Sequence, residues 1–441
     1  MNNVNKSDII TALATPYGRS ALAVIRISGA GSIELAERFL SRSLENEKLK
    51  YNEFKSGSFV ERLMAVSYKA PKSYTGEDTV ELFPHGNMTI CDGILKILTE
   101  NGARLARRGE FTARAFFNGK VDLMQCEALA DIIDAETNEQ LVYGNKRFDG
   151  EFVGLKDVEI TLNRALSSIE AVLHYGDELE DNEIDGAVCD DVFGKIDGLI
   201  EILENEKKKF GGGRIINDGF KVALVGMPNA GKSTLLNALT ESDRAIVTEI
   251  AGTTRDTIEG NYVYDQKKFV IIDTAGIAET RDVVEKIGIE RAKSAAKDAD
   301  AVIFLSESAE MNNLDVSGTK IYVENKCDDE KDVGVDYEKA EKNGRLRISA
   351  KLGKNINALK QKLYDICPKD AGAICNHRQY DCVLRCLDAL KSAKEQGTGM
   401  QSLEIVAAAL YDAYSAIEQL YGKCADERVL DSVFERFCVG K

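Results

Sequence analysis

The residues of this chain with the plainest chemical purpose are Gly226-Met227-Pro228-Asn229-Ala230-Gly231-Lys232-Ser233, a G-x-x-x-x-G-K-S loop. An apolar run, Val222 to Val225, precedes it, and a helical one, Ser233 to Leu239, follows. In that strand–loop–helix setting the backbone N–H groups of the loop and the helix N-terminus form an anion cradle. Asn229, Ala230, Gly231, Lys232, Ser233 and Thr234 are the candidate phosphate-binding set. Lys232 reaches the β- and γ-phosphates in this reading, and Ser233 holds Mg²⁺. Asn325-Lys326-Cys327-Asp328 ends a second apolar run, Ile321-Tyr322-Val323. Guanine offers N1–H and an exocyclic amine, and one carboxylate accepts from both. Asp328 therefore selects guanine, since adenine leaves that carboxylate unpaired. Ser349-Ala350-Lys351, after Leu346-Arg347-Ile348, fits a loop that supports the base from the other side. Asp273-Thr274-Ala275-Gly276 ends the run Phe269 to Ile272. Asp273 is placed to hold Mg²⁺ through water, and the Gly276 N–H to touch the γ-phosphate. Thr248, Thr253 and Thr254 lie between the phosphate loop and that strand, where a switch loop must sit.

Hydrolysis asks for two further groups. The position after Asp-Thr-Ala-Gly, where a Ras-type site has a water-orienting Gln, is Ile277, which cannot hydrogen-bond. Glu285 is the best carboxylate for that work; Glu279 is nearer in sequence but sits in a polar loop. The competing reading of Glu285 is a solvated helix charge. The second need is charge compensation, for which a finger arginine is worth about 10³–10⁵ in rate. Arg255 and Arg281 are available. So is a monovalent cation, because the Asn229 amide oxygen and the carbonyls of Thr248 to Thr253 form a set of neutral oxygens.

Alternating strand and helix patterns from about Phe220 to Pro368 supply the scaffold such a site needs, a doubly wound, mostly parallel sheet. Residues 1–120 mix strand-like runs, Leu22 to Ile27 and Thr79 to Phe83, with helical stretches near Ser32–Leu40 and Ile94–Ala103, an α+β unit. From Val121 the pattern is helical, with Leu123, Leu129, Ile132 and Ile133, then Leu162, Leu166, Ile169 and Leu173, at helical spacing. Asp177 to Asp191 carries eight carboxylates and no basic residue, and reads as a solvated loop between helices. Gly211-Gly212-Gly213 reads as a flexible joint. From Ala371 onward the pattern is helical again, with Leu384, Leu387, Leu390, Leu403, Val406 and Leu410. The expected fold class is multidomain α/β plus α+β. Its parts are 1–120, 121–213 and 371–441 as two halves of one helical domain, and 214–370 as a P-loop GTPase domain inserted between those halves.

The 441 residues give room for two to four domains. No stretch approaches the length of about 18 apolar residues that a membrane span requires. The polar N-terminus is no signal peptide, so the ten Cys are expected to be reduced cytosolic thiols. Cys375, His377, Cys382 and Cys386 cluster without any standard zinc spacing, and read as helix cysteines. Net charge is −16, yet residues 1–120 hold 17 Lys+Arg against 13 Asp+Glu, so the remainder sums to −20. RNA, if handled, falls to that third of the chain, to a local patch or to a partner protein. Arg104, Arg107, Arg108, Arg114 and Lys120 are the densest basic stretch, read either as a solvated helix face or as an RNA patch.

Three segments of the GTPase region carry a family likeness: Pro228 to Ser233, Ile250-Ala251-Gly252-Thr253-Thr254-Arg255-Asp256, and Ile287-Gly288-Ile289-Glu290-Arg291-Ala292. So do Ala14-Thr15-Pro16, Arg26-Ile27-Ser28-Gly29, Ser73-Tyr74-Thr75-Gly76-Glu77-Asp78 and the closing Phe437-Cys438-Val439-Gly440-Lys441. With these, the chain resembles the MnmE (TrmE) tRNA modification GTPases over its whole length. The resemblance implies a folate-binding N-terminal domain that dimerises the protein, with folate contacts on Arg26, Glu81, Lys120 and Lys441. It implies K⁺ on Asn229, Thr248, Ile250 and Thr253, Mg²⁺ on Ser233 and Thr254, and catalysis by Lys232, Gly276 and a water-orienting Glu285. It further implies a cytoplasmic homodimer acting with a FAD-dependent MnmG-type partner, in a heterotetramer. Together they would add an aminomethyl or carboxymethylaminomethyl group to carbon 5 of a tRNA wobble uridine, from a tetrahydrofolate derivative (5-formyl or 5,10-methylene). Phe83-Pro84-His85-Gly86-Asn87 departs from the family's His-Gly-Gly, and Ser306-Glu307-Ser308 lacks its usual Asp. Cys438 reads as a reactive thiol or as a small buried hydrophobe, the second being preferred. Two other readings remain: a ribosome-assembly GTPase of the Era or EngA type, and a GTP-controlled scaffold without catalysis. The first needs a KH-like domain or a second phosphate loop, and neither is visible.

Overall fold

The computed structural model describes residues 8–152, 154–175, 182–227, 229–240, 258–273, 297–305, 318–328, 341–342, 345–398 and 403–441. They form two compact units. One comprises Met1–Ile133, Asn145–Asp197 and Arg385–Lys441; the other Asp134–Gly144 and Gly198–Leu384.

The first unit holds a six-stranded sheet of β1 (Ile9–Leu13), β2 (Ile25–Ser28), β3 (Lys50–Ser56), β4 (Phe59–Tyr68), β5 (Thr79–Phe83) and β6 (Ala103–Leu105), in the order β3-β4-β5-β2-β1-β6. Every pairing is antiparallel except β1 with β6. α1 (Ser32–Glu37) and α2 (Met88–Glu100) cover it, and Ile25, Ile27, Phe54, Val80, Leu82, Cys91, Ile94 and Leu98 fill the space between. α1 stops short of the expected Leu40 because Leu40 bridges to Phe54 and Phe39 stacks on the same ring at 5.4 Å. α2 starts six residues early because Asn87 caps it, accepting from the Thr89 N–H. The helices α3 (Glu110–Phe117), α4 (Leu123–Asp134), α5 (Asn138–Asp149) and α6 (Leu155–Tyr175) follow.

α7 (Asn182–Asp218) corrects two expectations. Residues 182–191 of the acidic stretch are helical; those before lie outside the described residues. The three glycines at 211–213 are helical as well, and two of them, Gly212 and Gly213, serve close packing. A Cβ on Gly212 would stand 1.9 Å from the Asp370 carbonyl oxygen, and one on Gly213 would stand 2.4 Å from that of Ile374. Only glycine lets segment 370–374 lie this close to the helix. Tyr143 secures that segment by donating to the Gly372 carbonyl at 2.8 Å, and Glu206 by accepting from the Ala373 N–H at 2.7 Å. Burial raises the Glu206 carboxyl above its usual range.

The second unit is built on β7 (Phe220–Val225), α8 (Lys232–Thr240), β8 (Ile258–Tyr264), β9 (Lys267–Asp273), β10 (Ala301–Phe304), β11 (Thr319–Glu324), β12 (Glu341–Lys342), β13 (Arg345–Arg347) and α9 (Ile356–Asp365). The sheet order is β12-β13-β11-β10-β7-β9-β8, parallel except for its two edge strands. β10 is buried throughout, as a central parallel strand covered on both faces must be. The remaining helices are α10 (His377–Thr398), α11 (Leu403–Tyr421) and α12 (Glu427–Phe434). Cys375, Cys382 and Cys386 are buried. No described helix is long and apolar enough to cross a membrane.

Candidate functional site

Register brings the nucleotide motifs together. Leu224 pairs with Asp273, Val225 with Phe304, and Phe304 with Tyr322, so β7, β9, β10 and β11 end at one edge of the sheet. The chain leaves β7 there as the phosphate loop. The next parallel strand along the chain, β9, lies on one side of β7 and the one after it, β10, on the other, so the strand order reverses at β7, the switch point where open α/β sheets bind ligands.

The loop is held by its own geometry. Asn229 and Gly231 have positive φ, 65° and 92°. A Cβ at Gly231 would lie 2.5 Å from Asn325 Nδ2, so the second invariant position of the motif is a packing requirement as well as a conformational one. α8 begins directly at Lys232, with Leu235 N–H bonded to the Gly231 carbonyl. Lys232 is buried, and its ammonium donates to the carbonyls of Gly226 at 2.8 Å and Met227 at 3.1 Å. Those bonds place the cation inside the loop, where phosphate oxygens are its alternative acceptors. Ser233 occupies the first turn of α8, suiting a metal ligand beside the phosphates. The cradle thus fits a nucleotide phosphate chain with Mg²⁺.

Asn325 ties the phosphate loop to the Ser349-Ala350 loop. Its Nδ2 donates to the Ala230 carbonyl at 3.1 Å, and its Oδ1 accepts from the Ala350 N–H at 3.0 Å. Asp328 is oriented from the other strand end: Ser349 Oγ donates to its Oδ1 at 2.6 Å, and the Leu352 N–H donates to Ser349 Oγ at 3.1 Å. Lys354 Nζ donates to the Asp328 carbonyl at 3.0 Å. Lys326, between them, is exposed and has φ of 69°. Asn229, Ala230, Gly231, Lys232, Asn325, Asp328, Ser349 and Ala350 are thereby gathered at one place. Asp273 ends β9 at the same sheet edge. Thr248, Ile250, Thr253, Thr254, Thr274, Ala275, Gly276 and Glu285 lie outside the described residues.

A second cluster sits on the first sheet. Arg26 on β2 faces Glu81 on β5 in register, and its Nε donates to Glu81 Oε1 at 2.9 Å. Its guanidinium lies 5.7 Å from the Tyr74 ring centre and 5.6 Å from that of Phe111, two aromatic partners that sequence reasoning missed. Tyr74 stood inside a quoted motif, but nothing local marked it as a partner of Arg26. The C-terminal tail arrives here: Arg26 Nη1 donates to the Gly440 carbonyl at 3.0 Å. Val439 forms a bridge with Arg108, and the Cys438 carbonyl accepts from the Gly109 N–H at 3.4 Å. Gly440 has φ of 98°, and a Cβ there would meet the Leu13 carbonyl at 2.5 Å. Phe437 is buried, but Cys438 and Val439 are exposed. The buried-hydrophobe reading of Cys438 therefore fails, because the tail turns its 438 and 439 side chains outward to bring the Gly440 backbone in. Lys120 lies against the loop that carries Tyr74, donating to the Pro71 carbonyl at 3.1 Å.

One of the basic residues at 104–120, Arg114, is buried and so is neither a solvated face nor an RNA patch, and Arg104 is half-buried in the same ion-pair cluster. Arg114 is buried and pairs with Asp8 at 3.1 Å and Glu77 at 2.9 Å; Arg104 pairs with Asp8 at 2.6 Å and Glu110 at 2.5 Å. Burial raises the Glu110 and Asp8 carboxyls, but hydrogen bonds and charge from Arg104 outweigh it, and both end below their usual range.

A family model described as "GTP-binding protein TrmE N-terminus" matches residues 9–120, and one described as "MnmE helical domain" matches residues 123–438. The tRNA modification GTPase MnmE of Fervidobacterium nodosum is 34% identical over 100% of this chain and 99% of its own length. That of Aquifex aeolicus is 35% identical over 98% and 99%. Among solved structures, Aquifex aeolicus Era is 27% identical, matching 38% of this chain and 66% of that one at a TM-score of 0.26.

Proposed function

The chain belongs to the MnmE family of tRNA modification GTPases, and on that premise we propose a K⁺-dependent GTP hydrolase that serves wobble-uridine modification with a folate one-carbon unit. The observation that carries the nucleotide reading is the joined cluster of Lys232, Asn325, Asp328 and Ser349. It sets a cation in the phosphate loop and a pre-oriented carboxylate at the base position. Asp328 reads guanine, Asn325 keeps base loop and phosphate loop in step, and Lys232 exchanges loop carbonyls for phosphate oxygens. Ser233 and Thr254 would hold Mg²⁺. Asn229, Thr248, Ile250 and Thr253 would hold K⁺, whose chemistry is compensation of charge developing on the phosphates. Glu285 would orient the attacking water, and the Gly276 N–H would meet the γ-phosphate.

The first unit supplies the folate reading. A guanidinium and a carboxylate side by side suit a ligand that has both an anionic glutamate tail and a polar pterin edge. Arg26, Glu81, Lys120 and Lys441 are the proposed contacts, in a segment 1–120 that also forms the homodimer. Segments 121–213 and 371–441 are proposed as the helical domain, and 214–370 as the GTPase domain. The proposed partners are a FAD-dependent MnmG-type protein and tRNA, in the cytoplasm. The test is the tRNA of cells lacking this protein: it should have lost aminomethyl and carboxymethylaminomethyl groups at carbon 5 of the wobble uridine. Unaltered nucleosides would refute the reading. In vitro, hydrolysis should rise when Na⁺ is replaced by K⁺ at fixed ionic strength; equal rates would remove K⁺ from the mechanism.

A further inference from the structure

The carboxyl end of the chain is held from behind as well as seated in front. α4 contributes two consecutive residues to it. Ala130 packs in one cluster with Phe434 and Phe437. Asp131, next to it, gives one carboxylate oxygen to each of two guanidinium groups: Oδ2 accepts from Arg147 Nη1 at 2.5 Å, and Oδ1 from Arg436 Nη2 at 2.6 Å. The two cations are unlike. Arg147, in the last turn of α5, has a side chain only 2% exposed, whereas that of Arg436 is 38% exposed. Arg147 and Asp131 need each other, since neither charge is solvated. Arg436 could find water instead, so its pairing is a matter of position. It stands one residue before buried Phe437. The next backbone groups each find a partner in the N-terminal segment: the Phe437 carbonyl accepts from Arg108 Nε at 3.2 Å, that of Cys438 from Gly109, and that of Gly440 from Arg26.

We infer that Asp131 is a positioning residue for the proposed folate site. Fixed by Arg147, it holds Arg436 and so sets the register in which the tail pairs with Arg108 and Gly109 and brings Gly440 to Arg26. The ligand half of this inference rests on the folate reading above; the tail half does not. Asp131 touches no ligand and acts only through the tail.

The test is hydrogen exchange by mass spectrometry on the full-length chain, with calorimetry using 5-formyltetrahydrofolate. Asp131→Asn, Arg436→Gln and the double variant are compared with the unaltered protein. Exchange in the peptide covering residues 435–441 should quicken by about tenfold in each single variant, since a local opening is released. The double variant should be no faster than the faster single one, as expected of two residues acting through one contact. Peptides from α4 and α5 should exchange as before in Arg436→Gln, and the folate Kd should rise about tenfold in step with tail opening. Arg436→Gln leaves the buried Asp131–Arg147 pair intact, so it decides the matter even if Asp131→Asn folds poorly. A tail that exchanges at the unaltered rate in Arg436→Gln, or a speed-up spread equally over α4, α5 and tail, would overturn the inference. Tail opening in a protein whose unaltered form binds no reduced folate would keep the clamp and remove the folate reading, which separates the two failures.

Discussion

At the scale of single residues, the proposed guanine specificity turns on how Asp328 is held. A carboxylate that must rotate into place on binding loses part of its discrimination. Here Ser349, itself fully buried and bonded to Leu352, keeps one oxygen in position. Asp328→Asn should move preference from GTP toward xanthosine triphosphate, because the new amide places a donor where guanine also donates. A margin of about a hundredfold or more is expected in competition binding; an unchanged preference for GTP would remove Asp328 as the base reader. Ser349→Ala should weaken GTP binding without a shift toward xanthosine triphosphate, because the carboxylate remains. Loss of a hydrogen bond to a charged group is worth about 1.5–3 kcal/mol, so GTP affinity should fall by roughly tenfold or more. Glu285→Ala should slow hydrolysis while leaving GTP affinity nearly intact; a matching loss of affinity would assign Glu285 a structural role.

At the scale of elements, the glycines of α7 give a prediction with opposite signs on adjacent residues. A Cβ on Gly211 meets nothing within 4 Å, so Gly211→Ala should gain helix propensity, up to about 1 kcal/mol. Gly212→Ala gains the same propensity but drives its methyl into the Asp370 carbonyl, which is backbone and must move. Its net effect should be a loss of about 1–3 kcal/mol. Denaturant titration of the two variants, followed by a probe in the second unit, checks this. If both stabilise, the segment 370–374 does not pack on the helix as described. The same packing explains why a run that looks like a hinge is none: glycine was needed there for proximity.

At the scale of the whole molecule, the chain closes on itself in the first unit. Arg26 and Gly440 are 414 residues apart and hydrogen-bonded. Deleting Cys438 to Lys441 should therefore weaken reduced-folate binding and abolish tRNA modification, while K⁺-stimulated GTP hydrolysis persists. Unchanged folate affinity by calorimetry would remove the tail from the proposed folate site. The acid stability of this unit has its own signature. Glu110 and Asp8 have folded-state values below their unfolded ones. Their stabilisation is complete above the unfolded carboxylate range, near pH 4, and is lost as pH falls through the lower folded values. Melting temperature should drop on that limb. Glu110→Gln should flatten it and cost about 1.5–3 kcal/mol at neutral pH, because Arg104 loses its charged partner while Arg114 keeps Asp8 and Glu77. An acid limb unchanged in slope would show that other carboxylates govern it.

What the sequence determined by itself were the devices that are local along the chain. A phosphate cradle is one loop and one helix start, so Gly226 to Ser233 declared it. Asn325 to Asp328 and Ser349-Ala350 suggested the proposed base reader, because each is a short run at a strand end. Alternating apolar runs declared a parallel sheet, since a strand buried on both faces must be apolar throughout. Tertiary structure decided which of these ends are neighbours, and therefore that Asn325 bridges the Ala230 carbonyl and the Ala350 N–H. It decided that Arg104 and Arg114 are paired with Asp8, Glu77 and Glu110, Arg114 away from solvent altogether. It turned Cys438 outward, and it made Gly212 and Gly213 a packing face. Each of these depends on a partner far away in sequence. Composition and periodicity record how much a residue wants burial or charge compensation; they do not record which distant residue supplies it.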